Sequence, residues 1–443
     1  MGYKTYPSYT YSGLEWLGAI PSNWIKQPIK YIGNLKGGAG FPHSEQGKEN
    51  EEFSFHKVNA IRKADAEDYL VKGENTISKQ TSRDLGAFVF PTNSIVFAKV
   101  GAALLLSRIR WISEPSCIDN NMMGFTVHNT NNVKFIKYAM NIVKFDYIVN
   151  PGAVPSLNES QMGSVFLTVP PLREQQSIAT FLDKATAKID TTIAKQTQLI
   201  ELLKEKRQAL ISTAVTRGLD STVAMKDSSV KWLGEIPTGW EVIAISKLSD
   251  KITNGYVGPT RNILVEKGVP YVQATHIKKG RVNFDKAYYV TQDWSNKHKK
   301  SILQEGDVLI VQTGAGTGDI GLVSNSEKGY NCHALIIVQP NKQIINGNFL
   351  AMALQSTYGY AVLYSIRTGG MHPHLNCGEV QFVKVAVPPI EEQKLIAEYI
   401  LEKSIIIDAL ISKSTRSIEL LKEKRTALIC SAVTGKIDVR KAV

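Results

Sequence analysis

Cysteine is scarce. The four in the chain, Cys117, Cys332, Cys377 and Cys430, include no CxxC pair. That argues against a disulfide framework and against a cysteine-built zinc site. Long apolar runs are missing too. No stretch of eighteen apolar residues occurs, so no segment is expected to span a membrane. The opening MGYKTYPSYTYSGLEW has no apolar core of signal-peptide type, which predicts a cytoplasmic protein. Catalytic signatures are also absent: there is no GxxxxGK[ST] phosphate loop, no HExxH, no GxSxG and no Asp/Asn-Pro-Pro-Tyr/Phe tetrapeptide. GTGDIG at 316–321 satisfies GxGxxG, but a dinucleotide site needs a helix directly after it. Here LVSNSEKGYNCHALIIVQP continues as turn and strand, so the motif reads as a glycine-rich turn. His372 and His374 in GGMHPH flank Pro373 without a nearby third ligand and read as a loop. The chain is expected to be a reader rather than a catalyst, with no metal or cofactor of its own.

What the sequence does have is ordinary globular composition, basic charge and a repeat. With 443 residues, 43% hydrophobic and 21% charged, two or three soluble domains are expected. Residues 1–220 carry 25 Lys and Arg against 20 Asp and Glu, and residues 221–443 carry 27 against 20. Both halves are therefore basic and no tail carries the excess, which suits a polyanion such as DNA.

LLKEKRQALISTAVT at 202–216 returns as LLKEKRTALICSAVT at 420–434, 218 positions later. WLGAIPSNW (16–24) returns as WLGEIPTGW (232–240), and VPPLREQQSIATFL (169–182) as VPPIEEQKLIAEYI (387–400). PSLNES faintly matches PHLNCG, and KGGAGFP echoes TNGYVGP. The ends of the two halves match, whereas residues 25–165 and 241–383 differ strongly. A duplicated frame holding unlike inserts suggests one task done on two targets.

Pro171 and Pro389 suit helix starts, with Glu174 and Glu391/Glu392 in the first turn and Gly218 and Gly435 at the stops. Each helix should run ~45 residues, or ~65 Å. Ile178, Leu182, Ala185, Ile189, Ile193, Ile200, Leu203 and Leu210 form one apolar stripe. Ile396, Ile400, Ile407, Leu410, Ile418, Leu421 and Leu428 form the other. The spacing is that of a coiled coil, and the simplest partners are each other, antiparallel about a pseudo-two-fold. Both stripes are interrupted at one register, by Gln196 and Ser414, which predicts a polar layer. The basic residues of both LLKEKR segments should face outward.

The inserts read as α+β modules. Runs 93–101, 306–314, 333–340 and 382–389 are strand-like, and 131–145 and 346–365 are helical. Arg and Lys suit guanine and phosphate, Asn and Gln suit adenine. In the first insert the candidate DNA contacts are Lys57, Asn59, Arg62, Lys63, Lys79, Arg83, Lys99, Arg108 and Arg110. In the second they are Gln273, Thr275, His276, Lys278, Lys279, Arg281, Lys297, Lys299, Lys300, Arg367 and His372.

This combination of WLGxIPxxW segments, PPxxEQ helix starts and LLKEKRxALIxxAVT helix ends resembles the DNA-specificity subunit of type I restriction–modification systems over essentially the whole chain. The resemblance implies an α+β protein with two α/β target-recognition domains, joined by two long helices in an antiparallel coiled-coil rod with a pseudo-two-fold repeat. The expected boundaries are 1–168 for the first recognition domain, 169–218 for the first helix, 219–386 for the second domain and 387–443 for the second helix and tail. It further implies a split, asymmetric double-stranded DNA site, and a circular arrangement in which the opening segment meets the end of the last helix. Two modification subunits would bring S-adenosylmethionine, and restriction subunits with motor and nuclease functions would bring ATP and Mg. Other readings stay open: a coiled-coil scaffold whose inserts bind proteins, an enzyme, or an inactive or recombination-shuffled specificity subunit.

Overall fold

The computed structural model describes residues 3–15, 17–65, 67–150, 154–286, 288–370 and 373–442, so that Trp16 and His372 lie outside the described residues. The chain forms two compact units, Met1–Lys195 with Ser417–Val443, and Gln196–Arg416. The two long helices, Leu172–Arg217 and Ile390–Val433, each give one half to each unit.

In the first unit the opening segment forms a hairpin, Tyr9–Tyr11 against Ala19–Pro21. Strand Ile25–Pro28 then pairs antiparallel with Phe166–Val169, Ile25 facing Val169. The second unit repeats both features: Met225–Asp227 pairs with Glu235–Pro237, and Glu241–Ala244 pairs with Lys384–Val387, Glu241 facing Val387. Each insert is thus clamped where it leaves and rejoins the frame. The residues between can diverge without disturbing what lies outside, which is the pattern the sequence shows.

The inserts share a topology that their sequences hide. The first has the antiparallel order Gly33–Gly37, Met122–Val127, Ile95–Ala98, Ile109–Trp111. The second has Ser249–Asn254, Leu335–Pro340, Val308–Val311, Ile320–Leu322, and adds Gly280–Val282 and Ile277–Lys278 at the edge. Each carries a smaller sheet with one parallel pair, Phe53–His56 with Ser116–Ile118 and Val269–Val272 with Asn331–Cys332. The four strand-like runs contain strands as expected, and GTGDIG is the turn leading into Ile320–Leu322. The stretch 346–365 is two helices, Gly347–Gln355 and Thr357–Ser365. Ser356 breaks it, because its hydroxyl accepts the Gly359 N–H as an N-cap.

Within each unit the helix halves run antiparallel. In the first, Arg425 Nε donates to Asp190 Oδ1 at 3.0 Å, while farther along the second helix Thr168 Oγ1 donates to the Val433 carbonyl and Val433 joins the core with Ile178 and Leu182. In the second, Arg207 Nη1 donates to Asp408 Oδ1 at 2.9 Å. Asp190 and Asp408, like Arg207 and Arg425, are 218 apart, so each unit makes the same ion pair. These pairs are half-exposed and contribute at most about 1 kcal/mol, so the apolar stripe does most of the holding. One expected stripe residue was misplaced: Leu410 is 44% exposed. The inward positions after buried Ile407 are Ile411 and Ser414, in steps of four and three. Ser414 is buried and Gln196 half-buried in the second unit, and no hydrogen bond among the described residues joins their side chains.

Candidate nucleic-acid interface

The frame is held by the residues that follow each Pro-Pro pair. Trp24 is buried and its Nε1–H donates to Glu174 Oε1 at 2.9 Å, and Asn23 Nδ2 donates to the other oxygen at 3.1 Å. Trp240 Nε1–H donates to both oxygens of Glu392 at 3.2 Å. The adjoining Gln175 and Gln393 are buried and bridge the frame to the inserts. Gln175 Oε1 accepts the Asn132 N–H at 2.8 Å, and Gln393 Oε1 accepts the Asn346 N–H at 2.7 Å. Each amide nitrogen donates to the first proline's carbonyl, Pro170 or Pro388, at 2.9 Å. Asn132 and Asn346 in turn N-cap the insert helices Val133–Met140 and Gly347–Gln355. A glycine with positive φ closes each long helix against the tryptophan: a Cβ on Gly435 would meet Pro21 and Trp24, and one on Gly218 would meet Trp240. In the first unit the opening segment also joins the tail after the last helix. Asp438 N–H donates to the Lys4 carbonyl at 2.7 Å, and the Tyr9 hydroxyl to the Gly435 carbonyl at 2.9 Å. The opening segment thus meets the end of the last helix within the first unit.

On this frame the candidate residues fall on equivalent elements. After the strand of the parallel pair comes a short 3-10 turn, Val58–Ile61 or Ala274–His276. Beyond the next strand of the same small sheet, Thr76–Ile77 or Tyr289–Val290, comes a short helix capped by a hydroxyl, Lys79–Asp84 after Ser78 or Gln292–Lys297 after Thr291. HKVNAIRK and the start of VQATHIKKGR, up to His276, therefore occupy one topological place, and Lys79 and Arg83 share another with Lys297, which Lys299 and Lys300 follow on the 3-10 turn Lys299–Ser301. Asn59, Arg62, Lys79, Arg83, Arg108, Thr275, Lys278, Lys279, Arg281, Lys297, Lys299 and Lys300 are exposed. Among the described residues no hydrogen bond or ion pair engages their side chains. Lys63 is exposed but pairs with Glu74 at 2.8 Å.

Other candidates have internal work. Arg110 donates to Asp68 at 2.9 Å and to the Ile61 carbonyl at 3.0 Å. His276 is buried, with Nδ1 accepting the Gln273 N–H at 2.8 Å and Nε2 2.7 Å from the Lys286 carbonyl. Both are candidate DNA contacts by residue type, and their polar atoms are held inside their units. Gln273 uses its backbone in that turn and is half-buried. Lys57 donates to Gln46 at 2.6 Å over the Phe41 ring, and Lys99 lies against Gly37. Arg367 packs on the faces of Tyr364 and Tyr360 and donates to the Thr317 carbonyl, bracing the glycine-rich turn.

The type I restriction modification DNA specificity domain model matches residues 21–202 and again 237–420. The chain belongs to that family. The two matches are the two halves of the repeat, each spanning an insert and most of a long helix. The EcoBI type I restriction enzyme specificity subunit of Escherichia coli is 22% identical over 434 residues, covering 95% of this chain and 88% of that protein. A putative MjaX specificity subunit of Methanocaldococcus jannaschii is 22% identical over 435 residues, covering 96% of each. A chain solved in work on complex assembly and conformational transition of the type I R-M system superposes with a TM-score of 0.69 at 14% identity, covering 94% of this chain and 98% of that one. At that identity the likeness speaks for the fold. As a specificity subunit the chain is the non-catalytic component of its system.

The sequence alone suggests a helix-dipole role for Glu174 and Glu392 and none for Gln175 and Gln393. The signal was available: each EQ is retained in both halves together with the final tryptophan of each WLGxIPxxW segment, the pair they turn out to join. Among the described residues no cluster of three His, Cys, Asp or Glu could hold a metal, and no helix is long and apolar enough to cross a membrane.

Proposed function

We propose that this specificity subunit reads a bipartite, asymmetric double-stranded DNA site, one half per insert, and positions modification and restriction subunits on it. The observation that carries the reading is the pairing of one topology with two different sets of exposed residues. The same 3-10 turn and capped helix, with the residues directly after them, present Asn59, Arg62, Lys63, Lys79 and Arg83 in one insert and Thr275, Lys297, Lys299 and Lys300 in the other. Equivalent elements with unlike side chains would dock alike on the duplex backbone and differ in the bases they accept. The inserts 1–168 and 219–386 would act as recognition domains, and the helices 169–218 and 387–443 would set the gap. Half-sites on one face of the duplex would lie about one turn, ~34 Å, apart. S-adenosylmethionine, ATP and Mg would be held by the partner subunits.

Co-expression with the modification subunit of its own genome, in a host without adenine methylation, tests this. Sequencing for modified adenine should give a split, asymmetric motif with a fixed gap. A co-purifying complex that leaves host adenine unmodified refutes the reading in favour of an inactive subunit or a scaffold.

A further inference from the structure

The two units differ at one equivalent place. In the first, polar groups tie the insert helix to the long helix on one side and to the rest of the insert on the other. Lys134 and the Tyr138 hydroxyl meet Asp183 at 2.7 and 2.9 Å, and Lys137 and Arg110 meet Asp68 at 2.8 and 2.9 Å. Counting from the paired N-caps Asn132 and Asn346, the second unit has Asn348, Ala351 and Met352 at the lysine, lysine and tyrosine positions. Counting by 218 along the long helix, Leu401 replaces Asp183 and Ile405 replaces Ala187. Where the first unit is plugged, the second has an open groove of about 790 Å³.

Its chemistry is specific. Leu401 and Ile405 lie one turn apart on the long helix and are 38% and 60% exposed. The wall opposite is the edge hairpin Ile277–Lys278 and Gly280–Val282, for which the described residues of the first unit show no matching hairpin. Lys278, Lys279 and Arg281 stand on this hairpin, exposed and without an internal partner among the described residues. Of the two lining carboxylates, Asp408 is paired with Arg207 at 2.9 Å and Asp319 is the other. The groove therefore couples apolar residues with a net positive rim. A DNA backbone would satisfy the cations but leave Leu401 and Ile405 against water. A helix with an apolar face and acidic flanks satisfies both, and the volume admits about two turns of one.

We propose that this groove docks an acidic amphipathic helix of a protein partner that binds once per specificity subunit. The plugged site in the first unit is what restricts it to one. The inference rests on the proposed function only for the complex in which the partner is sought, and it moves Lys278, Lys279 and Arg281 from DNA reading to protein docking.

The test places the photo-crosslinker p-benzoylphenylalanine at position 405 and, separately, at position 187. The full chain is co-expressed with the modification and restriction subunits of its genome and irradiated with DNA present. A protein adduct is expected at 405, on a segment whose acidic and apolar residues alternate at helical spacing, with at least tenfold less at 187. Lys279→Glu with Arg281→Glu should lower the 405 adduct about tenfold. An adduct with DNA at 405, equal adducts at both positions, or no protein adduct at 405 overturns the inference, even where adenine methylation proceeds. Loss of methylation with the 405 protein adduct retained fails the function reading alone.

Discussion

Replacing Glu174 by alanine should damage the first unit more than Glu392→Ala damages the second, although the two glutamates hold the same place in the repeat. Glu174 is only 7% exposed and accepts from both Trp24 Nε1 and Asn23 Nδ2, at 2.9 and 3.1 Å. Glu392 is half-buried and, among the described residues, accepts only from the Trp240 nitrogen, at 3.2 Å. A hydrogen bond to a charged acceptor is worth about 1.5–3 kcal/mol, and a stranded buried N–H costs about 1–3 kcal/mol. For Glu174→Ala these overlap to about 3 kcal/mol. For Glu392→Ala, water replaces part of the lost acceptor and about 1 kcal/mol is expected. Glu174→Gln keeps an acceptor for the indole and should recover most of the loss. Hydrogen exchange read by mass spectrometry along a urea series separates the units, because amides of each insert report their own opening. Equal losses in the two units, or a Glu174→Ala effect within about 0.5 kcal/mol of wild type, would refute the assignment of this carboxylate as the frame's anchor.

Two further outcomes follow from named groups. Burial pushes the Asp307 carboxyl up to about 6; because the unfolded chain releases this proton near pH 4, the folded state binds more protons between pH 4 and 6, and stability falls as pH rises through that window. Asp307→Asn should therefore stabilise the second unit by about 3 kcal/mol at pH 7.5 and by little at pH 4, which thermal melts at the two pH values check. Lys297→Ala, Lys299→Ala and Lys300→Ala together should weaken DNA binding and flatten the plot of log affinity against log salt by about 0.9 for each lysine that meets a phosphate; an unchanged slope removes this lysine cluster from the interface.

How much of this is readable from the chain depends on how local each signal is. The long helices were legible at both ends, because Pro171 and Pro389 open them and Gly218 and Gly435 close them within a few residues. The shared topology of the inserts was not. Their strands are two to six residues long and pair across the module, so the partner of Ile95–Ala98 lies at Met122–Val127 with nothing local to announce it. Residue type makes Arg110 and His276 candidate DNA contacts, and a sequence shows that a side chain can hydrogen-bond but not that Asp68 or the Gln273 backbone already engages it. Leu410 was placed in the stripe because it stands three residues after Ile407, where the structure takes the step of four to Ile411. The groove in the second unit was invisible for a different reason. It exists only by comparison with Asp183, Lys137 and Tyr138, whose equivalence depends on the caps that align the two insert helices.

The most direct test of one frame serving two readers is an exchange of inserts. Residues 25–165 are replaced by residues 241–383, so that both positions carry the second insert, and modified adenines are mapped after co-expression with the modification subunit. The account predicts an inverted repeat of the second half-site with the wild-type gap. A motif that still contains the first half-site, or a gap that changes while the helices do not, would contradict it.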